Sequence, residues 1–536
     1  MRTRPGFIAS ELLFDVGDCY DPLLLRESER LLRDYRFIAR AEVTGSQQPD
    51  GRWRVLVVTQ DEWTTKVSAD VRPGGEPWLR RAAVTEENLL GTGILLGGFL
   101  RAQETERDLG ARIELPRLGR TRFDTRLSIG RTRFGDFLDQ SLSYPFLGEV
   151  SRLAARQAFL RVDTSFPYSV GAGPDAPPGA ITDVLLPIAE QRFEMTLAGR
   201  IGRPGNLTVL GMGFSNETLE FPAFPGGVEV ARDGSFGGTA FADSATAAAV
   251  RPQTLHSAGT HVNLLVGQRN VRFERFRGLD ALRGTQDVPI GSTVSLTLGR
   301  TVAALSAGDD QPADLYTRLV LELSAAGPGL LLASAGGVEA SQVYSGGEPG
   351  DGWKDVLAEL AALVYWQPPA LSHHTFFARA AGAGGWSVTQ PFQLTLGGPA
   401  GVRGYDVDDF PGGRQVVLSV EDRIYLGWPF PRLLDLGVTL LADAGRVWAG
   451  DAPFGVGTGW LGTVGGGLRA SFPSGSGGVA RADLVWPVSA AGVGRRPLLR
   501  LSMTDPLGIV AGLADRQLAR SRRLQVGPDL FTAHLR

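Results

Sequence analysis

The chain has a single cysteine, Cys19, so no intrachain disulfide can form and no cysteine cluster can hold a metal. Its five histidines, His256, His261, His373, His374 and His534, show no HExxH-like spacing. Lysine is nearly missing: only Lys66 and Lys354 occur, and arginine supplies the other positive charges. The 54 basic residues face 57 acidic ones, for a net charge of −3. Without a basic excess to neutralise phosphates, a nucleic-acid partner is not expected. No apolar run reaches the roughly 18 residues of a membrane-spanning helix. The N-terminal Met-Arg-Thr-Arg-Pro also lacks the apolar segment of a signal peptide.

Glycine, by contrast, is abundant. There are 71 glycines and 33 prolines in 536 residues, yet together they stay below the roughly 25–30% of low-complexity chains. Hydrophobic residues make up 43% of the sequence, mostly in short alternating runs, and this combination fits a large β structure. Residues 1–62 read differently. A helix is expected over 23–35, followed by strands over 37–44 and 52–59 joined by the turn signal Pro49-Asp50-Gly51.

From Trp63 to about Asp505 the period is two. In 415–426, Val416, Leu418, Val420, Ile424 and Leu426 alternate with Gln415, Ser419, Glu421 and Arg423. In 313–324, Leu315, Leu319, Leu321 and Leu323 oppose Asp314, Tyr316, Arg318 and Glu322. A sandwich strand alternates too, but about 16 to 20 such runs with no helical layer to cover a sheet favour a membrane barrel, apolar outside and polar inside. Five runs follow residue 410: 413–426, 434–449, 461–473, 478–488 and 497–505. Earlier, 93–104 and 107–116 read either as one strand or as two. Polar, Gly- and Pro-rich stretches at 165–180, 221–258, 302–312 and 344–352 read as long loops. Phe146, Trp366, Trp386, Trp448 and Trp486 sit at run ends, as interfacial aromatics would.

One segment is not explained by strand patterning. Leu396-Gly397-Gly398-Pro399-Ala400-Gly401-Val402-Arg403-Gly404-Tyr405-Asp406 presents one arginine in a glycine-rich loop. Glycine permits tight backbone turns there, and an arginine can meet a buried carboxylate in a bidentate pair. Leu441-Ala442-Asp443-Ala444-Gly445 follows about 40 residues later, with Asp443 on the less apolar face beside Gly437 and Thr439.

These segments resemble the Omp85 superfamily of outer-membrane assembly and secretion proteins, of the BamA and TamA type. Val402-Arg403-Gly404-Tyr405 is similar to the family's VRGY/F loop motif, and Asp443 with Gly445 to the strand motif that the loop arginine meets. Glu86-Glu87-Asn88-Leu89-Leu90-Gly91-Thr92-Gly93, preceded by Trp78, resembles an early strand end. Gly465-Gly466-Gly467 and Arg481-Ala482-Asp483 resemble the closing strands.

The resemblance implies an antiparallel all-β transmembrane barrel over 63–507 (the D15-like surface-antigen unit), of about 16 strands, with 18 to 20 also open. It implies a partial POTRA-like periplasmic α+β module over 1–62, which lacks its first strand, and a C-terminal tail over 508–536. A chain truncated ahead of the module, with its export signal missing, is the matching expectation. The implied setting is the outer membrane, with lipid, client polypeptides and periplasmic factors as partners. The implied activity is insertion or translocation of polypeptides without covalent chemistry, with a passive pore or lipid-handling channel as the alternative.

No catalytic residue, metal or cofactor is expected. Gly457, Gly459 and Gly462 fit GxGxxG, but no helix follows to hold a dinucleotide. Asp406, Asp408 and Asp409 fail the EF-hand pattern because Pro411 takes its glycine position. His373-His374 reads as a polar strand start, and Cys19 as a partly buried helix–loop residue.

Overall fold

The computed structural model describes residues 2–71, 79–103, 106–119, 121–171, 180–232, 239–302, 313–345, 348–427, 433–489, 496–503, 507–509, 515 and 517–522. Trp78, His534 and the end of the C-terminal tail lie outside them. Among the described residues no helix is long and apolar enough to cross a membrane.

Helix α1 (Pro5–Glu11) and helix α2 (Pro22–Asp34) precede a hairpin, Ile38–Gln47 and Trp53–Asp61. Asp21 caps α2, its Oδ1 accepting from the Leu23 N–H at 2.7 Å, and Pro22 occupies the first turn, where no N–H is needed. Leu25 and Leu32 of α2 pack with Ile38, Ala41 and Val43 of the hairpin into a small core. At the hairpin tip Gly51 has φ +83°, which favours glycine. Cys19 is exposed rather than partly buried, because it precedes the helix in an open turn.

Apart from the short pairing of Leu394–Thr395 with Pro411–Gly412, the other described strands form one antiparallel sheet. Its strand order is circular, with Leu498–Ser502 placed next to Thr65–Val71. The ring holds 22 strands among the described residues, more than the 16 expected from the family resemblance. Part of the excess comes from the early region, where Ile94–Gln103 and Glu106–Leu115 are separate strands. Two further strands, Glu229–Ala231 and Thr239–Phe241, are three-residue pieces in a flap.

The stretch 221–258 is therefore not a plain loop. Its apolar residues Val228, Val230 and Val250 pack with Tyr168 and Val184, and helix α3 (Ser244–Val250) starts on an Asp243 cap. The expected loop over 344–352 is mostly strand as well. Leu330–Ser345 and Glu348–Trp366 pair almost throughout, with two register shifts absorbing the irregular sequence.

Alternation is inverted relative to a water-soluble sheet. On neighbouring strands Val420, Leu440 and Leu468 are 53%, 60% and 65% exposed, whereas Glu421, Arg423 and Thr439 are 3%, 3% and 1% exposed. Apolar side chains cover the outer face and charged ones fill the interior. Trp366, Trp386, Trp448 and Trp486 are exposed on that outer face. Phe146 is not: it is buried in a turn, beneath the Arg200 guanidinium at 3.8 Å.

Antiparallel order places alternate turns at opposite ends of the ring. The N-terminal module packs on the end that carries the turns at 90–93, 116–123 and 145–152. The Arg4 N–H donates to the Gly91 carbonyl at 2.9 Å, and the Glu149 N–H donates to Glu27 at 2.8 Å. Arg33 clamps Asp287 through two hydrogen bonds, 2.7 and 2.9 Å, and also binds Glu29. Burial alone would lower the Arg33 pKa. Hydrogen bonds and charge from Asp287 and Glu29 outweigh that and hold it raised, so the guanidinium stays charged.

Removing Arg33 leaves the nearly buried Glu29 and Asp287 with only the half-exposed Arg275 as cation. Arg33→Ala is expected to cost about 1–3 kcal/mol and to loosen the module from the ring. Limited proteolysis near residue 62 should accelerate in that variant, and Arg33→Lys should recover only part of the protection, because an ammonium cannot make the forked contact.

Candidate functional site: the inward-folded arginine loop

The segment between the strands His374–Trp386 and Arg414–Tyr425 starts at the end of the ring opposite the module. It does not remain there but folds into the interior, held by its own backbone. The Val402 N–H donates to the Leu396 carbonyl at 2.9 Å, the Gly398 N–H to Tyr405 at 3.0 Å and the Tyr405 N–H to Val402 at 3.2 Å. Gly397 and Val402 form an isolated bridge. Such close chain crossings leave no room for side chains: a Cβ on Gly401 would strike the Leu396 carbonyl.

Four residues of the loop do most of the anchoring. Val402 is fully buried with Leu396, Val417, Val447 and Leu461. It lies over Gly445, where a Cβ would come within 2.6 Å of its methyl group. Gly404 donates its N–H to Thr463 Oγ1 at 3.1 Å, and a Cβ there would sit 2.5 Å from that oxygen. Tyr405 is fully buried; its hydroxyl meets Ser489 Oγ at 2.5 Å and its ring packs edge-on against Phe410.

Arg403 is 1% exposed. Its Nε and Nη2 donate to the two carboxylate oxygens of Asp443 at 2.9 and 2.7 Å, a bidentate pair. The Arg403 backbone N–H also reaches Asp443 Oδ2, at 3.2 Å. Nη1 donates to Glu421.

Register explains why Asp443 is available. Ser419, Asp443 and Thr463 are cross-strand partners in one row of the inner face, and the loop docks across that row. Asp406, Asp408 and Asp409 form the acidic turn beyond it, with the Asp406 N–H donating to Asp409 at 3.0 Å.

The pair belongs to a larger network. Glu421 also accepts from Arg423 Nε at 2.7 Å and from Arg481 Nη2 at 2.9 Å. Arg481 contacts Asp483 at 3.1 Å. Arg423 continues to Asp280 at 3.2 Å and lies 4.1 Å over the Phe377 ring, and Tyr365 donates to Asp280 at 2.6 Å. Arg500 from the last strand donates to the carbonyls of Arg403 and Tyr405.

Strand alternation places Glu421, Arg423, Arg481 and Asp483 on the polar face, but it does not say that they converge on one loop arginine. Asp280 sits in a turn whose approach the sequence does not signal. Asn88, in the early glycine motif, has a local role: its side chain accepts from the Gly93 N–H and donates to Thr3 Oγ1, both at 2.8 Å. His374 pairs with Asp422 at 3.0 Å. Among the described residues no group of three or more His, Cys, Asp or Glu is placed to hold a metal ion.

No protein-family profile matches the chain, and no curated protein sequence does either. Solved structures show a distant, broad likeness. BamA from Haemophilus ducreyi lacking POTRA domains 1–3 is 12% identical, with a TM-score of 0.33, and the match covers 94% of this chain and 81% of that one. CdiB from Escherichia coli is 13% identical, with a TM-score of 0.43 and coverage of 92% and 72%. CdiB from Acinetobacter baumannii is 11% identical, with a TM-score of 0.35 and coverage of 91% and 69%.

Arg403→Ala strands the buried Asp443 carboxylate, while Glu421 keeps Arg423 and Arg481, so it should destabilise the folded chain by about 3–5 kcal/mol, read as a lower urea midpoint with an unchanged slope. Gly445→Ala presses a methyl group into Val402 and should cost about 1–3 kcal/mol in the same assay.

Proposed function

We propose that the chain is an outer-membrane β-barrel protein of the Omp85 type, with residues 63–507 spanning the membrane and residues 1–62 forming a partial POTRA-like periplasmic module. It assists the insertion or translocation of polypeptides and performs no covalent chemistry. The carrying observation is the inverted alternation of the ring: apolar side chains are exposed outward and charged ones are buried inward. In water such an outer face would be a large aggregating surface; in lipid it is the favoured arrangement. The Val402-Arg403-Gly404-Tyr405 motif, engaged through Arg403 with Asp443, adds support through the family resemblance. Its role in this reading is to set the shape of the interior next to the closing strands, since Arg500 of the last strand holds the loop backbone.

Outer-membrane lipid is the surrounding partner. Client polypeptides and periplasmic factors would meet the module, whose hairpin exposes Leu56 and Val58. Strand addition at a sheet edge is the physical route for such contacts.

Two measurements test this reading. In phospholipid vesicles Leu440→Arg should lower stability by about 2–4 kcal/mol, the cost of a charge near the bilayer midplane, whereas a water-exposed position would tolerate it within about 0.5 kcal/mol. Vesicles carrying the chain should fold an unfolded outer-membrane barrel protein several-fold faster than empty vesicles. Equal rates accompanied by leakage of small solutes would instead identify a passive channel.

A further inference from the structure

The chain does not stop at its last strand. Leu498–Ser502 runs antiparallel to Ala480–Pro487 and so ends on the module side of the ring. The described residues beyond it lie against the inner face. Leu507 is buried with Leu279, Tyr365 and Phe377, and the Ile509 N–H donates to the Tyr365 hydroxyl at 3.0 Å. Further on, the Asp515 N–H donates to Glu359 at 2.5 Å. The Gln517 side chain then pairs with the Thr395 backbone in both directions: its oxygen accepts from the Thr395 N–H at 2.6 Å and its amide donates to the Thr395 carbonyl at 2.9 Å. Leu518 is 0% exposed, enclosed by Leu357, Phe392 and Leu394. Ser521 donates to the Pro391 carbonyl at 2.6 Å. Arg522 forms ion pairs with Glu359 and, at 3.5 Å, with Glu339.

These contacts run from the module end of the ring to the base of the inward-folded loop. They use the grammar of peptide recognition: an apolar pocket for one leucine, a backbone read by an amide, and a carboxylate pair for one arginine. The wall residues belong to several separate strands and to the loop, so the site is a surface of the ring and not a local turn of the tail.

We infer that the inner wall of the ring carries a polypeptide-binding site, formed by Glu339, Glu359, Leu357, Phe392, Leu394 and Thr395, which the chain's own C-terminal segment occupies. Its ligand class is a short peptide carrying a leucine with an arginine four residues later. A segment of that kind from another polypeptide enters only when the tail leaves. The inference does not depend on the transport reading, because binding can be measured in detergent without membrane or client.

The test uses the full-length chain folded in detergent and a fluorescein-labelled peptide of residues 507–522. In the wild-type chain the tail fills the site, so the peptide should bind weakly. The Leu518→Asp/Arg522→Glu chain, altered only in the tail, should bind the wild-type peptide at least tenfold more tightly by fluorescence anisotropy. A peptide carrying Leu518→Asp should lose that gain. Equal binding to both chains, or no binding to either, overturns the inference. A second measurement needs no variant that must refold. In the folded wild-type chain, trypsin should cut after Arg522 at least tenfold more slowly than in the urea-unfolded chain. Cutting at the same rate in both overturns it as well.

Discussion

A guanidinium taken out of water must find its full complement of acceptors, or the structure around it fails. Arg403 meets this demand with two carboxylates, Asp443 and Glu421, and Glu421 in turn ties down Arg423 and Arg481. Three guanidiniums, Arg403, Arg423 and Arg481, share Glu421, and Asp443, Asp483 and Asp280 balance the charge around them. No single pair in this set stands alone, because removing one charge leaves an uncompensated partner. The glycines at 401, 404 and 445 follow from the same demand. The loop must approach the wall closely enough for the bidentate contact: a Cβ at 404 or 445 would hold it away, and one at 401 would break the loop's own turn against the Leu396 carbonyl.

A second constraint is the choice of faces. Once the ring closes, its interior can hold charge only if that charge is paired, and its exterior offers a nearly continuous apolar surface. Ion pairs therefore do inside this ring what hydrophobic packing does inside a soluble domain. Ordinary apolar packing is confined to separate clusters: the module's own helix–hairpin core, the flap core near Tyr168, the cluster at Leu279 and Tyr365, and the contacts of the inward loop and tail around Val402 and Leu518.

Much of the wall was legible in the sequence because a strand with two different solvents alternates cleanly. The five runs after residue 410 correspond to Arg414–Tyr425, Asp435–Trp448, Leu461–Ser471, Ala480–Pro487 and Leu498–Ser502. The loop was legible because an arginine flanked by glycines has no use on a strand. Strand number was less so: the break between Gln103 and Glu106 spans too few residues to carry a composition signal, and the Gly- and Pro-rich stretch over 344–352 reads as a loop although Glu348–Trp366 is strand. The flap over 221–258 escaped because its few valines are diluted by glycine, proline and alanine. Alternation assigns Glu421, Arg423 and Arg481 to a face, but convergence on one point depends on the stagger between strands, which no local pattern records. Contacts of the tail are longer-range still: Arg522 meets Glu359 across more than 160 positions.

The position of the tail also limits how the molecule can be assembled. The described residues of the tail, 507–509, 515 and 517–522, lie within the circle of strands, and the strand before them completes that circle beside Thr65–Val71. A free end can be threaded into a finished ring, or the ring can be zipped shut around an end already in place. Chains avoid threading where they can. The second order makes the tail a mandrel: the last pairing to form would be the join between the first and last strands, made only after the interior is filled.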